Sequence, residues 1–152
     1  MAATLCSCGS DVVKLWNVSK VDGGALTQVE SPAARSLRPH AGRVNCGRFN
    51  HNGQVLVTCA DDGSIVLTHV AGSKQLATLP GPGDEEIGAI ASVCFSSGSR
   101  YLCSGGSDRV VRIWDLKKRV AIRSLTGHTD AVTTVRFTPQ RLGVCVVCVR
   151  VL

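Results

Sequence analysis

Aromatic side chains are scarce in this 152-residue chain, where three Phe, two Trp and one Tyr make up 4% of the residues. A surface on which single-stranded nucleic acid stacks its bases needs more of them. The composition therefore argues against that function, even at a formal net charge of +6. The 17 Lys and Arg outnumber the 11 Asp and Glu, but they are mostly scattered. Their one tight group, Lys117-Lys118-Arg119, follows a Trp-Asp pair and is expected in a solvated turn between strands. Excess positive charge alone fits nucleic acid, an acidic protein partner or nothing specific. Long apolar runs are missing as well: no stretch reaches the ~18 residues that a membrane helix needs. Residues Met1–Leu5 show neither the basic start nor the apolar run of a signal peptide. Helical periodicity is nearly absent. Short β-rich runs are instead separated by Gly, Asn, Asp and Ser, the pattern of an all-β chain.

Cysteine, in contrast, is plentiful, with eight residues. With no sign of secretion, the expected compartment is the reducing cytoplasm, and no disulfide framework is expected there. Cys6, Cys46, Cys94 and Cys103 fall inside strand patterns, where free Cys acts as a small buried hydrophobe. Cys145-Val-Val-Cys148 is formally a CxxC, but no second CxxC and no paired His accompany it. The two valines suit a strand better than a metal knuckle. No metal, cofactor or small-molecule substrate is expected.

The informative feature is repetition. Leu102–Leu116 reads LCSGGSDRVVRIWDL, Leu56–Val70 reads LVTCADDGSIVLTHV and Leu5–Val18 reads LCSCGSDVVKLWNV. Leu56 and Leu102 are 46 residues apart, Val44…Phe49 matches Ile90…Phe95 at the same offset, and Val132…Phe137 follows after a further 42. A period of roughly 40–45 residues ending in Trp-Asp is the signature of the WD40 β-propeller, with four strands to a blade. The expected fold is thus all-β, a WD40-type propeller that is incomplete. Propellers usually have 4–8 blades, and this length supplies about three plus part of a fourth. The chain is therefore expected to be the N-terminal part of a longer protein or a truncated gene model.

Residues 1–138 are read as the partial propeller, with blade pieces 4–30, 40–79, 86–125 and 128–138. The first blade enters with Thr4–Cys8 and Val12–Val18 as its strands b and c, and a weak outer strand falls within Lys20–Pro39. The second blade is Arg43–Phe49, Gln54–Ala60, Ser64–Val70 and Lys74–Leu79, with tight turns at Asn52-Gly53 and Asp62-Gly63. A loop over Pro80–Glu86 leads to the third blade: Ala89–Phe95, Arg100–Gly105, Arg109–Asp115 and Val120–Leu125. Thr126-Gly127-His128 opens a fourth, whose first strand is Val132–Phe137. Residues 139–152 break the pattern. They read either as strand b of that blade or as a truncation artefact, with a frame-shifted or intron-derived terminus preferred. The run is β-prone and carries no acidic residue, which favours aggregation.

Blades that resemble the WD consensus carry a His before strand a, a Ser or Thr in strand b, an Asp in the b–c turn and a Trp in strand c. The resemblance implies that the four hydrogen-bond in series, Asp to His, His to hydroxyl, hydroxyl to indole. Such a buried polar chain is tolerable when every member has a partner. The set is uneven here. Ser7, Asp11 and Trp16 occupy the first blade without a His. His40, Thr58 and Asp62 occupy the second, with Thr68 in place of Trp. Ser104, Asp108 and Trp114 occupy the third, with Glu86 where His is expected, and His128 stands alone in the fourth. His, Ser and Asp are also the residues of a nucleophilic triad. However, no GxSxG elbow is present, and no GKS or GKT follows Gly105-Gly106 to make a phosphate loop. No catalytic residue is assigned, and the chain is read as a non-enzyme.

One stretch is more specific than the repeat itself. Gly98–Val135, GSRYLCSGGSDRVVRIWDLKKRVAIRSLTGHTDAVTTV, resembles the WD-repeat family that targets the γ-tubulin ring complex to microtubule-organising centres, particularly in its plant-type form. CGSDVVKLWNVS, RVNCGRFNHNGQVLVTCADDGSIVL and GPGDEEIGAIASVCFS are similar to it too, so the likeness covers about residues 4–138. It implies a non-catalytic scaffold for microtubule nucleation and spindle organisation, located at the cytoskeleton. It also implies protein partners from the γ-tubulin complex or among microtubule-associated proteins, and a γ-tubulin-binding helical segment that these residues do not include. The alternative is a generic WD adaptor, such as a ubiquitin-ligase substrate receptor or an RNA-processing subunit.

Overall fold

The computed structural model describes residues 2–19, 35–80, 87–138 and 145–148. They form thirteen strands and no helix. Strands β1 (Ala2–Gly9), β2 (Val12–Ser19) and β3 (Arg35–Leu37) make the first sheet. Strands β4 (Val44–Phe49), β5 (Val55–Ala60), β6 (Ile65–His69) and β7 (Lys74–Leu79) make the second. Strands β8 (Ile90–Phe95), β9 (Tyr101–Gly106), β10 (Val111–Asp115) and β11 (Val120–Leu125) make the third, and β12 (Thr134–Phe137) and β13 (Cys145–Cys148) pair as a fourth. Every pairing is antiparallel between chain neighbours. The architecture is a partial propeller: one blade lacking its inner strand, two full blades, and the first two strands of another.

The outer strand of the first blade, β3, lies within the Lys20–Pro39 stretch and beyond residue 30, where the sequence pattern sets the end of that piece. Of the tail, Cys145–Cys148 pairs with β12 at the position of strand b, Phe137 opposite Cys145 and Thr134 opposite Cys148. Residues 139–144 and 149–152 lie outside the described residues.

The two full blades repeat down to their irregularities. A bulge separates Val44 from Cys46 against β5, and its counterpart separates Ile90 from Ser92 against β9. A second bulge falls between Leu67 and Thr68, with its counterpart between Ile113 and Trp114. Each position lies 46 residues from its copy, so the sequence period is also the period of the backbone. Burial follows strand position. β5 and β9 are the second strands of their blades, flanked on both sides and buried, which suits the largely apolar runs VLVTCA and YLCSGG. The outer strands β7 and β11 are mostly exposed and read KQLATL and VAIRSL.

The core consists of the seams between blades. Val13 and Leu15 of the first blade meet Val44, Leu56 and Val70 of the second. Val57, Cys59, Ile65 and Leu79 of the second meet Ile90, Val93, Leu102 and Trp114 of the third. Cys103 and Val111 of the third meet Val132 and Val135 of the fourth. Backbone hydrogen bonds cross the outer two seams, from the Val44 amide to the Ser10 carbonyl (2.6 Å) and from the Val132 amide to the Gly106 carbonyl (2.9 Å). In the middle seam the Asn45 side-chain amide donates to the Ile90 carbonyl at 3.0 Å.

The turns show where repetition loosens. Gly53 and Gly63 take φ of 71° and 75° in the Asn-Gly and Asp-Gly turns, the conformation in which glycine avoids a Cβ clash. In the third blade the corresponding turn contains Ser97-Gly98, and the positive φ falls on Ser99 (54°) rather than on Gly98. Arg109 (64°) occupies the position of Gly63. A left-handed conformation costs a residue with a Cβ roughly 1–2 kcal/mol, so the third blade carries strain that the second avoids.

Candidate functional site

The His40 position shows most fully what the polar set does. His40 lies just ahead of β4, and its ring is buried between the second blade's b strand and its b–c turn. His40 Nε2 is 2.8 Å from Thr58 Oγ1, and Nδ1 is 2.7 Å from Ser64 Oγ and 3.4 Å from Asp62 Oδ1. Asp62 Oδ1 accepts from the Ser64 amide (2.9 Å) and hydroxyl (2.6 Å), while Oδ2 accepts from the Ala41 amide (2.8 Å). One assignment of protons satisfies all of these contacts. The Thr58 hydroxyl donates to Nε2, Nδ1–H donates to Ser64 Oγ, and the Ser64 hydroxyl donates to Asp62. In that assignment the ring is neutral. Burial holds the His40 pKa below its ordinary value, against the opposing pull of the Asp62 carboxylate. Burial alone would raise the Asp62 pKa, but the Ser64 and Ala41 hydrogen bonds outweigh it and keep it low.

His40, Thr58 and Asp62 are thus brought together, with Ser64 inserted between His and Asp. The residue types and order imitate a hydrolase triad, but access is lacking: the His40 side chain is 0% exposed and Thr58 is 1% exposed. A substrate carbonyl has no path to that hydroxyl, so this set acts as a brace.

The other blades depart from the expected series. In the third, the Trp114 indole donates to Ser104 Oγ at 2.8 Å, fully inside the protein. Asp108 turns away from that pair: it accepts from the Val110 amide at 3.2 Å and forms an ion pair with Arg112. Glu86, expected at the His position, lies outside the described residues. In the first blade, Trp16 donates to Ser7 Oγ at 2.9 Å, and Asp11 pairs with Arg38. The Ser7–Trp16 bond lies at the surface instead of in the core, with the Lys14 ammonium 5.7 Å from the indole centroid. No strand of this blade lies inside β1 among the described residues to cover it. His128 sits half-buried after β11. No hydrogen bond joins it to a hydroxyl or Asp among the described residues, so it stays apart from the other nine positions. Asp11, Asp62 and Asp108 therefore hold three different cations or donors, an outcome that the blade consensus does not anticipate.

Two further residues matter. Asp115 of the Trp-Asp pair is 4% exposed and accepts from the Lys117 (2.9 Å) and Lys118 (3.2 Å) amides. It ties down the turn that exposes Lys117-Lys118-Arg119, as the sequence pattern implied. Thr68, the substitute for Trp, is buried beside a cavity of about 120 Å³ lined by Leu37, Arg38, Pro39, Ser73 and Gln75. The matching cleft of the third blade holds about 230 Å³, between Pro80, Ile87, Arg112, Trp114, Val120 and Ala121. Both fall short of the ~300–1,000 Å³ common for small-molecule sites. Among the described residues, no cluster of three or more His, Cys, Asp or Glu is placed to hold a metal ion. No described helix is long and apolar enough to cross a membrane.

The cysteines are less buried than their strand positions suggested. Cys103 is buried, as is Cys59, but Cys6, Cys46 and Cys94 are half-exposed. Cys46 and Cys94 sit on β4 and β8, the first strands of their blades, and Cys6 on β1, an edge strand of the first sheet.

Blades of four antiparallel strands, joined b-to-c by an Asp turn and packed face to face, define a β-propeller repeat protein. The family model for the WD domain, G-beta repeat, matches residues 32–68, 73–115 and 119–148, and the chain belongs to the WD40 repeat family. It is 28% identical over 154 residues to a chromatin assembly factor 1 subunit of Gallus gallus, covering 89% of this chain and 26% of that one. It is 34% identical over 128 residues to protein NEDD1 of Bos taurus, covering 84% of this chain and 18% of that protein. It is 32% identical over 110 residues to the beta component of a guanine nucleotide-binding protein of Arabidopsis thaliana, at 72% and 26% coverage. The chain thus spans about a quarter or less of the length of these relatives.

Proposed function

We propose that this chain is part of a non-catalytic WD-repeat scaffold that docks the γ-tubulin complex for microtubule nucleation and spindle organisation. The reading rests on the resemblance of Gly98–Val135 to the γ-tubulin-targeting family, and the likeness to protein NEDD1 along 84% of the chain supports it. The polar groups support a scaffold role, because His40, Thr58 and Asp62 brace the second blade and Ser104 holds the Trp114 indole in the third. The outer strands and turns offer the exposed surface on which a protein partner would dock. Location at the spindle and microtubule-organising centres follows from the same reading. Similarity to a chromatin assembly factor and to a G-protein component is of comparable strength. A generic adaptor for ubiquitin ligation or RNA processing is therefore the second reading.

Imaging separates the two. The 152-residue chain and the product of the full-length transcript are each tagged and imaged with γ-tubulin. The full-length product is expected on spindle and nucleating microtubules, and the shorter chain is expected to leave γ-tubulin where it was. A full-length product confined to nucleoli would contradict the assignment in favour of RNA processing.

A further inference from the structure

The third blade places a thiol between two arginines. Its inner strand reads Cys94-Phe95 where the neighbouring inner strands read Arg48-Phe49 and Arg136-Phe137. The repeat sets these three residues at one level, on β4, β8 and β12, and β8 packs against both of the others. Arg48 and Arg136 are exposed, and Cys94 is half-exposed between them. Directly opposite Cys94 on β9 stands Cys103, fully buried against Val111, Val132 and Val135. Residues directly opposed in an antiparallel pair point to the same face, with Cα atoms roughly 4.5–5.5 Å apart. That spacing lies inside the 4.4–6.8 Å range of disulfides.

We propose that Cys94 and Cys103 form a peroxide-responsive dithiol, Cys94 being the entry thiol and Cys103 the resolving one. The chemistry balances in two steps. The Cys94 thiolate attacks a peroxide oxygen, forming an S–O bond and breaking the O–O bond. Sulfur is oxidised to a sulfenic acid and the peroxide is reduced, its second oxygen leaving as hydroxide and taking a proton to become water. The Cys103 sulfur then attacks the sulfenic sulfur, forming the S–S bond and breaking the S–O bond. The hydroxide leaves with the Cys103 proton as a second water. A small-molecule thiol reverses the bond by exchange.

The surroundings favour Cys94 as the entry point. Its pKa is lowered to about 6, chiefly because the Cys103 thiol donates to it. Partial burial opposes that effect, and the Phe137 amide and the Arg136 and Arg48 guanidinia add to it. Reactive thiols occupy such electropositive, partly exposed places, whereas buried ones are inert. A second opposed pair, Cys46 and Cys59, lies in the preceding seam. Cys46 is likewise low, at about 6, chiefly because the Cys59 thiol donates to it, with the Arg48 and Arg136 guanidinia adding to that effect. It lies two residues before Arg48 on β4 rather than level with it and serves as the internal comparison.

The test uses the whole chain. It is treated with hydrogen peroxide, blocked with an alkylating agent and mapped by peptide mass spectrometry. A linked peptide joining residues 94 and 103 is expected, and dithiothreitol should remove it. Cys103→Ala removes both the resolving thiol and the chief donor to Cys94, so the reaction should start more slowly and stop at a sulfenic acid on Cys94 that dimedone captures. Independently of any variant, alkylation of Cys94 at pH 6 should be roughly twentyfold faster than that of an ordinary exposed thiol, after allowing for the weaker nucleophilicity of a low-pKa thiolate. Oxidation that links Cys46 to Cys59 while Cys94 and Cys103 stay reduced would overturn the proposal. So would Cys94 alkylation no faster than that of an ordinary thiol.

Discussion

Trp114→Ala is expected to lower stability by ~3–5 kcal/mol, the usual cost of deleting a buried Trp. The indole is 2% exposed, packs in the seam between the second and third blades and holds the Ser104 hydroxyl at 2.8 Å. Its removal leaves both a void and a hydroxyl without its partner. Charge changes at Lys117, Lys118 or Arg119, a few residues along the same hairpin, should stay within about 0.5 kcal/mol, as surface substitutions usually do. Urea denaturation of the variants side by side measures the difference. Equal midpoints would contradict the placement of Trp114 as the anchor of its blade.

Gly63→Ala is expected to cost about 2–5 kcal/mol, combining a left-handed backbone penalty with overpacking. The φ of 75° is one reason. The other is space: a Cβ there would lie 2.1 Å from the Ile87 carbonyl oxygen of the next blade, so the seam itself must open. Gly53 isolates the first effect. Its φ is 71° and a Cβ there meets nothing within 4 Å, so Gly53→Ala should show only the backbone cost of roughly 1–2 kcal/mol. The same denaturation series tests the pair. A Gly63→Ala midpoint equal to that of Gly53→Ala would mean that the blades do not approach at this turn.

The backbone of this molecule was largely legible from its residues, because a 46-residue offset carries strand, turn and bulge together. Val44 and Ile90 begin equivalent strands, and the Asn-Gly and Asp-Gly turns fall where two glycines adopt positive φ. The polar set was legible only where its members are local to one blade. Ser104 and Trp114 face each other across adjacent strands, and His40 reaches Thr58 as the consensus implies. The partners of the turn aspartates were not. Arg112 reaches Asp108 from four positions on, at the start of the next strand, Ser64 intervenes between His40 and Asp62, and Arg38 reaches Asp11 from the following linker. Of these, the Arg38 contact, 27 residues distant in sequence, is set by tertiary geometry, which a repeat pattern does not encode. The Asp62-Gly63-Ser64 run did contain a local signal for Ser64, since Asp readily accepts from the residue two positions on. The opposition of Cys94 and Cys103 followed from hairpin register, and its pairing with the arginine row became visible only once three inner strands stood side by side.

The most direct measurement for the central claim is affinity purification of the full-length product from dividing cells, with its companions quantified by mass spectrometry. The account predicts that γ-tubulin and the other members of its complex are enriched with it, and that Trp114→Ala reduces the amount of folded protein recovered. Recovery of ubiquitin-ligase or RNA-processing components with no γ-tubulin would contradict the account.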